Sequence, residues 1–370
     1  MSAPSIPNLL SLRGGTTGRG RGRARGGLGR GGTPGSGPGP SHDATIQGTD
    51  TDAAVSRLSA VELGYLSDPY ARLFVQGPVT RRLPIINRGT YTRTTAIDAL
   101  VDRFLASTSP DEPRQIVSLG AGTDTRCMRL FTSAQHHRNI VYHEIDFPAI
   151  MARKQAIISS TPALRTLLST PEPLSPTTWY SHSLIPPNDP NNNTLTLHGL
   201  DLRTLTPSTP PLPNLLPTAP TLLLSECCLC YLPPQQASAA LAHFTALLPH
   251  LALVLYEPIL PHDAFGKTMA ANLAARGIGM PTLEAYPTAA DQERRLREVG
   301  FEEVRSRSVD GIWEGWVGEA EKERVDEVEG GLDEVEEWRL LAGHYIVAWG
   351  WRGGKGDLDV EGGRGVGGGG

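Results

Sequence analysis

The sequence alternates short apolar runs with stretches of helical periodicity, and this alternation is its most restrictive feature. Seven runs have the length and composition of strands: residues 116–120, 140–146, 194–201, 222–226, 251–257, 303–309 and 345–350. Helical stretches separate most of them, as "FPAIMARKQAII" does after the second run. Strands that alternate with helices form a mostly parallel sheet covered on both faces. We therefore predict one α/β domain.

Both ends of the chain lack the apolar residues that a core requires. Residues 1–45 contain six arginines and one acidic residue in a glycine-rich background, whereas the whole chain has a net charge of −5. Such segments cannot offset the entropy that ordering costs, so we predict disorder for 1–45 and for the glycine-rich 353–370. The ordered domain is then 46–352, and its first part, 46–107, has helix-spaced apolar positions.

The chain has four cysteines, Cys127, Cys227, Cys228 and Cys230. Three of them fall within four residues, which suits neither a disulfide framework nor a zinc site, since no second pair stands at ligand spacing. We interpret them as buried thiols in a reducing compartment and predict no metal. No apolar run reaches the roughly 18 residues that span a bilayer, and no secretory signal is evident. We expect a soluble cytoplasmic protein, with the nucleus as a second location.

A small glycine loop follows the first strand in "IVSLGAGTDTRCMRL". A nucleoside triphosphate loop needs a Lys-Ser/Thr pair after its glycines, and none follows here. The dinucleotide fingerprint needs a third glycine where this chain has Thr125. Asp124 stands where the next helix begins, and its carboxylate would compete with a pyrophosphate for the same amide hydrogens. The loop therefore favours a ligand with adenosine and amino-acid portions but no phosphates, such as S-adenosylmethionine.

Acidic residues stand at the ends of the strands that follow. Asp146 in "YHEIDFP", Asp201 in "LHGLDLR" and Glu226 in "LLLSECCLCY" occupy the place that Gly120 occupies after the first strand. Ligands of open α/β sheets bind at the carboxyl ends of the strands, where Asp146 could accept both ribose hydroxyl hydrogens. Taken singly, Asp146 could instead cap a helix and Asp201 could be a turn residue. The conjunction of these positions is stronger evidence than any one of them.

These segments resemble the leucine carboxyl methyltransferase family, which methylates the C-terminal leucine of the protein phosphatase 2A catalytic subunit. The resemblance spans about residues 46–350 and is carried by "IQGTD", "LGYLSDPYARLFV", "PIINRGTYTRT", "IVSLGAGTDTR", "EIDFPAIMARK", "GLDLR", "LLLSECCLCYLPPQ", "YEPILPHDAFGKTMAANL" and "HYIVAW". It implies a class I S-adenosylmethionine-dependent methyltransferase fold, which is Rossmann-like and has seven strands, the last of them antiparallel. It also implies a helical lid formed by the N-terminal helices of 46–107 and the insertions.

The resemblance implies roles for individual residues at the methyl donor. Gly120 would lie against the donor, and Asp146 would hold its ribose. Asp201 would accept from the adenine amine while the backbone N–H of Leu202 meets the ring. Glu226 would lie beside the methionine portion, whose ammonium is a natural partner for a carboxylate.

Two arginines and a tyrosine are candidates for the substrate side. By resemblance, Arg57 and Arg93 match lid positions that meet the carboxylate of the donor or of the substrate, although family members often have lysine in place of Arg57. A C-terminal carboxyl is already ionised at neutral pH, so no general base is needed and none is assigned. Arg93 receives an orienting role. Tyr231 either lines the leucine pocket or packs as a core tyrosine.

The function that follows is methyl transfer to the α-carboxylate of the phosphatase's C-terminal leucine, which gives a methyl ester. We expect a monomer whose partner is the phosphatase tail, and neither a membrane nor a nucleic acid. One alternative is a carboxyl methyltransferase of the same family that acts on a small molecule or a modified transfer-RNA base. Another is an RNA-binding scaffold that depends on the Arg/Gly tail. The tail departs from the family pattern, and so does the insertion at 159–193, which is rich in Pro, Ser and Asn and which we predict to be irregular.

Overall fold

The computed structural model describes residues 42–135, 137–185 and 191–360. In this part the strands are β1 (Arg114–Leu119), β2 (Ile140–Asp146), β3 (Glu172–Ser175), β4 (Thr178–His182), β5 (Thr194–Gly199), β6 (Thr221–Glu226), β7 (Leu251–Pro258), β8 (Glu303–Ser308) and β9 (Tyr345–Arg352). The helices are α1 (His42–Glu62), α2 (Pro84–Ala106), α3 (Arg126–Phe131), α4 (Pro148–Ser160), α5 (Pro162–Arg165), α6 (Pro234–Leu247), α7 (Ala264–Ala274), α8 (Pro281–Ala285), α9 (Ala289–Glu298), α10 (Val309–Trp316), α11 (Glu319–Glu327) and α12 (Val335–Gly343). Short 3-10 turns occur at Ala71–Phe74, Leu202–Thr204 and Leu229–Tyr231.

The strands form one mixed sheet in the order β3-β4-β5-β2-β1-β6-β7-β9-β8. Neighbouring strands from β5 to β7 in this order are parallel, and β9 is antiparallel to both β7 and β8. Every residue of β1 and of β7 is buried, as expected for strands with helices on both faces. All seven predicted strands form, within two residues of their predicted bounds. The predicted α/β methyltransferase fold is therefore confirmed, including its antiparallel last strand.

The sheet has nine strands, and the expected number of seven was too low. The two additional strands, β3 and β4, form a hairpin inside the stretch 159–193, which the sequence predicted to be irregular. β4 pairs with the edge strand β5 and thereby extends the sheet. Strand β3, with the sequence "EPLS", is largely exposed and lacks an alternating apolar pattern. Backbone pairing with β4 holds it in place, and a sequence pattern does not reveal such pairing.

The folded domain extends further into both predicted tails than the sequence indicated. Helix α1 begins at His42, and residues 353–360 pack against the domain, although both segments were assigned to disordered tails. In the second segment Leu358 is fully buried and its carbonyl accepts the indole N–H of Trp349 at 3.1 Å. A Cβ at Gly356 would lie 2.6 Å from Phe104, so this turn packs directly on α2. The remaining predicted disorder, in 1–41 and 361–370, lies outside the described residues.

The two N-terminal helices differ in their environment. Helix α2 is buried along most of its length, through residues such as Ile86, Leu100 and Phe104, and it packs against the sheet. Helix α1, which we call the lid helix, lies beside the carboxyl ends of the strands and lines a cleft there. No helix in the described part of the chain has the length and apolar character of a membrane span.

Candidate functional site

A cleft opens where β1, β2 and β6 end, which is the edge at which parallel sheets bind ligands. Its empty volume is about 1090 Å³, a figure that includes the solvent at its mouth. All seven predicted donor-site residues and Tyr231 line it. These eight residues are Arg57, Arg93, Gly120, Asp146, Asp201, Leu202, Glu226 and Tyr231.

The glycine loop after β1 brings backbone into the cleft. Gly120 and Gly122 have φ angles of +63° and +51°, a region that side-chain-bearing residues rarely adopt. A Cβ at Gly120 would lie 2.4 Å from Cys228 Sγ, and one at Gly122 would lie 2.4 Å from Asp50 Oδ1. Both glycines are therefore required by conformation and by space.

The amide hydrogens of the loop are taken by carboxylates of the chain itself. Gly122 N–H donates to Asp146 Oδ2 at 2.8 Å. Both the N–H and the hydroxyl of Thr123 donate to Asp50 Oδ1, at 2.7 and 2.8 Å. This arrangement is consistent with the sequence argument that the loop disfavours a pyrophosphate, and it adds Asp50 and Asp146 to the carboxylate that the argument named. Asp124, which also lines the cleft, takes a further amide hydrogen: its Oδ1 accepts from the N–H of Arg126 at 3.2 Å, and its carboxylate pairs with the side chains of Arg57 and Arg126.

Asp146 ends β2 with its carboxylate in the cleft. In addition to the Gly122 contact, its Oδ1 accepts from Phe147 N–H at 2.7 Å. Burial raises the pKa of Asp146 to about 6, although these two backbone hydrogen bonds act in the opposite direction. The residue that caps α4 is Phe147, so the alternative reading of Asp146 as a helix N-cap does not hold.

Asp201 has a partner that the sequence did not indicate. Its carboxylate accepts from Arg203, from Nε at 2.9 Å and from Nη2 at 2.6 Å, and it also caps the 3-10 turn that begins at Leu202. The same guanidinium reaches Asp43 on the lid helix, at 2.9 and 2.8 Å, and lies over the ring of Phe147. Asp201 is thus both a turn residue and part of the cleft wall.

Glu226, at the end of β6, lies between two arginines. Its Oε1 is 2.8 Å from Arg93 Nε, an ion pair whose angle does not make a hydrogen bond, and its Oε2 is 3.5 Å from Arg126 Nη2. Arg93 comes from α2 and also lies over the ring of Tyr256. Positive charge on both sides therefore fixes the orientation of the Glu226 carboxylate.

Arg57 extends from the lid helix to the glycine loop. Its Nη2 is 3.2 Å from Asp124 Oδ1, and its Nη1 donates to the Thr123 carbonyl at 3.2 Å. The expected position of Arg57 in the cleft is observed, but its guanidinium is engaged by the protein. Tyr231 is buried and also lines the cleft, so the structure accommodates both interpretations of it.

A second strand-end glutamate, Glu257 on β7, is not part of the cleft. Its carboxylate accepts from Arg295 Nη1 at 2.9 Å, and both side chains are only 1% exposed. All four cysteines are free and buried, as predicted, and in the described residues no group of histidines, cysteines and acids could hold a metal ion.

Sequence reasoning missed Asp50, Arg126, Arg203 and Cys228 as cleft or cleft-supporting residues. Arg126 is the last residue of the quoted "LGAGTDTR", and Cys228 lies within "SECCLCY", so proximity to a motif was the available signal for these two. Asp50 and Arg203 are likewise the last residues of the quoted "IQGTD" and "GLDLR", but their partners Thr123 and Asp43 lie 73 and 160 residues away in the sequence, which no local pattern indicates.

Comparisons with known proteins identify the family. A family model described as leucine carboxyl methyltransferase matches residues 46–245. Leucine carboxyl methyltransferase 1 of Aspergillus fumigatus is 49% identical over 389 residues, with 96% of each chain covered. The protein of that name from Yarrowia lipolytica is 40% identical over 326 residues, covering 83% of this chain and 97% of its own.

A human relative, tRNA wybutosine-synthesizing protein 4, is 33% identical over 310 residues. That match covers 82% of this chain but only 43% of the human protein, whereas the matches to the two fungal proteins cover 96% and 97% of their own lengths. The chain belongs to the leucine carboxyl methyltransferase family and uses S-adenosylmethionine as its methyl donor.

Proposed function

We propose that this protein methylates the α-carboxylate of the C-terminal leucine of the protein phosphatase 2A catalytic subunit, forming a leucine methyl ester. The main support for an anionic acceptor comes from the side chain of Arg93. In the described part of the chain its Nη1 and Nη2 make no hydrogen bond, although the residue lines the cleft and is only 4% exposed. An arginine with these two nitrogens available can bind a carboxylate through two parallel hydrogen bonds.

The cleft residues suit S-adenosylmethionine. Asp146 would accept hydrogen bonds from the ribose hydroxyls, and Glu226 would pair with the ammonium of the amino-acid portion. The backbone at Gly120 would approach closely, since a Cβ has no room there. Arg57 and Arg93 provide positive charge for carboxylates. When bound, the donor supplies a methyl group attached to a positively charged sulfur.

At the adenine end, Asp201 and Leu202 would meet the base. Asp201 already pairs with Arg203, but a carboxylate has about four lone-pair positions and can accept from the adenine amine as well. The Arg203 guanidinium would then remain in place and connect this end of the cleft to Asp43 on the lid helix.

The chemistry demands little acid–base catalysis from the protein. A C-terminal carboxyl has a pKa of about 3.3–3.7, so the attacking oxygen is ionised at neutral pH. What this chain must do is hold that oxygen in line with the methyl group and limit the water around it. Arg93 provides the orientation, the lid helix narrows access to the cleft, and Tyr231 is placed to pack against an apolar side chain.

The test is methyl transfer in vitro. Wild-type protein is incubated with labelled S-adenosylmethionine and the phosphatase catalytic subunit, intact or lacking only its last leucine. We expect label only in the intact subunit, in a form released as methanol by mild base, as a methyl ester requires. Arg93→Lys serves as the matched variant: it keeps the charge but loses the two-pronged geometry, and its kcat/KM should fall at least tenfold.

The outcome also separates the alternatives. Equal labelling with and without the leucine would overturn the proposal. Base-labile label in total transfer RNA or in a small-molecule fraction, with none in the phosphatase, would indicate one of the alternative acceptors instead.

A further inference from the structure

Arg126, the first residue of α3, contacts three carboxylates from three different segments. Its Nε lies 2.8 Å from Asp98 on α2, and its Nη1 lies 2.5 Å from Asp124 in the glycine loop. Its Nη2 lies 3.5 Å from Glu226 at the end of β6. The side chain is 3% exposed, so these contacts form in a weakly screened environment.

Two of these carboxylates belong to the donor cleft. Glu226 has one oxygen near Arg93 and the other near Arg126, so loss of Arg126 would leave its carboxylate free to rotate toward Arg93. Asp124 is held from one side by Arg57 and from the other by Arg126. Arg126 therefore sets the spacing between the glycine loop and Glu226 across the cleft floor.

Arg126 also separates the cleft from a second cavity. This cavity has an empty volume of about 470 Å³ and is mostly polar, with Asp98, Asp102, Arg129 and His137 among its lining residues. Arg126 lines both cavities. A shorter, neutral side chain would connect them and admit water behind Glu226.

We propose that Arg126 is a positioning residue of the donor site. Its guanidinium fixes the Glu226 carboxylate toward the ammonium of the donor and closes the cleft floor against the second cavity. The proposal depends on the placement of Glu226 beside the donor's ammonium and is independent of which acceptor is methylated.

The test measures binding of two probes by calorimetry: S-adenosylhomocysteine, and 5′-methylthioadenosine, which keeps the adenosine but lacks the amino-acid portion. In Arg126→Gln we expect S-adenosylhomocysteine to bind about 10- to 100-fold more weakly, as loss of a charged hydrogen-bond partner implies. Binding of 5′-methylthioadenosine should change less than about threefold. A general loss of structure would weaken the binding of both probes, so a difference between the two probes identifies an effect on the position of Glu226.

Arg129→Gln is the matched control, since Arg129 lies on the same helix and also pairs with Asp98, at 2.6 Å, but contacts neither Glu226 nor Asp124. It should bind both probes like wild type even if it unfolds at a lower temperature. Arg126→Lys, which keeps the charge but not the three-way contact, should be intermediate, and it replaces Arg126→Gln if that variant does not fold.

Equal weakening of both probes in the Arg126 variants, or wild-type binding of both, would overturn the proposal. The variant Glu226→Gln shows whether such a result contradicts the role of Arg126 or the placement of Glu226. If Glu226→Gln discriminates between the probes and the Arg126 variants do not, Arg126 has no positioning role. If Glu226→Gln does not discriminate either, the placement of Glu226 beside the ammonium is itself wrong.

Discussion

Asp50 on the lid helix accepts two hydrogen bonds from Thr123 in the glycine loop, one from its N–H at 2.7 Å and one from its hydroxyl at 2.8 Å. The second Asp50 oxygen pairs with Arg153 on α4. One carboxylate thus joins the lid, the loop and the helix after β2. It also occupies loop donors that a phosphate would otherwise use, which suits a donor without phosphates.

Replacing Asp50 should therefore affect both lid and loop. Asp50→Ala removes two hydrogen bonds to a charged acceptor, each worth about 1.5–3 kcal/mol, so we expect a lower unfolding temperature and roughly tenfold weaker S-adenosylhomocysteine binding. Asp52→Ala is the control, because Asp52 lies on the same helix as Asp50 and also forms an ion pair, with Arg276 at 2.8 Å, but does not contact the loop. Equal calorimetric affinities for the two variants would contradict a specific role of Asp50.

Gly120 should tolerate no side chain. Gly120→Ala places a Cβ 2.4 Å from Cys228 Sγ and 2.7 Å from Cys228 Cβ, at a φ of +63° that costs alanine about 1–2 kcal/mol. We expect donor binding to fall below detection in a calorimetric titration. Adding Cys228→Gly removes both clashing atoms but not the backbone strain, so the double variant should recover part of the affinity. No recovery at all would show that the close contact with Cys228 is not the cause.

Donor affinity should depend on pH through Asp146. Burial raises the pKa of Asp146 to about 6, so its carboxylate is ionised above that pH and becomes protonated as the pH falls through it. Since only the ionised form can accept from both ribose hydroxyls, affinity for S-adenosylhomocysteine should be constant from pH 8 to 7 and fall between pH 6.5 and 5. Asp146→Asn should bind weakly throughout and lack this step. A wild-type affinity that stays unchanged down to pH 5 would refute this assignment.

The two strand-end glutamates should behave oppositely. Glu257→Gln breaks a fully buried ion pair with Arg295, which typically costs about 3–5 kcal/mol of folding stability, but it should leave donor affinity unchanged. Glu226→Gln should instead reduce donor affinity strongly and lower the unfolding temperature less, because the Glu226 side chain is 21% exposed in the cleft. Thermal unfolding and calorimetric titration of both variants check this. Loss of donor binding in folded Glu257→Gln would contradict its structural role.

Local sequence patterns were sufficient to predict the main strands of this protein and the position of its cleft. The seven predicted strands are short apolar runs that can be recognised without knowing which residues they contact. The glycines of the loop can be recognised because they directly follow one of these strands. Asp146, Asp201 and Glu226 converge because each directly follows a parallel strand, and the ends of such strands meet at one edge of the sheet. The sequence by itself therefore determined the fold class, the position of the cleft and the acidic residues at the strand ends that line it.

Only the tertiary structure decided which charge meets which. Asp50 reaches Thr123, and Arg203 reaches Asp43, across distances in sequence that no spacing rule covers. The β3–β4 hairpin likewise depends on pairing with β5 and not on its own weakly apolar sequence. The reason is physical: a side-chain ion pair is set by how the lid helix packs on the domain, and that packing is the sum of many contacts between residues far apart in the chain.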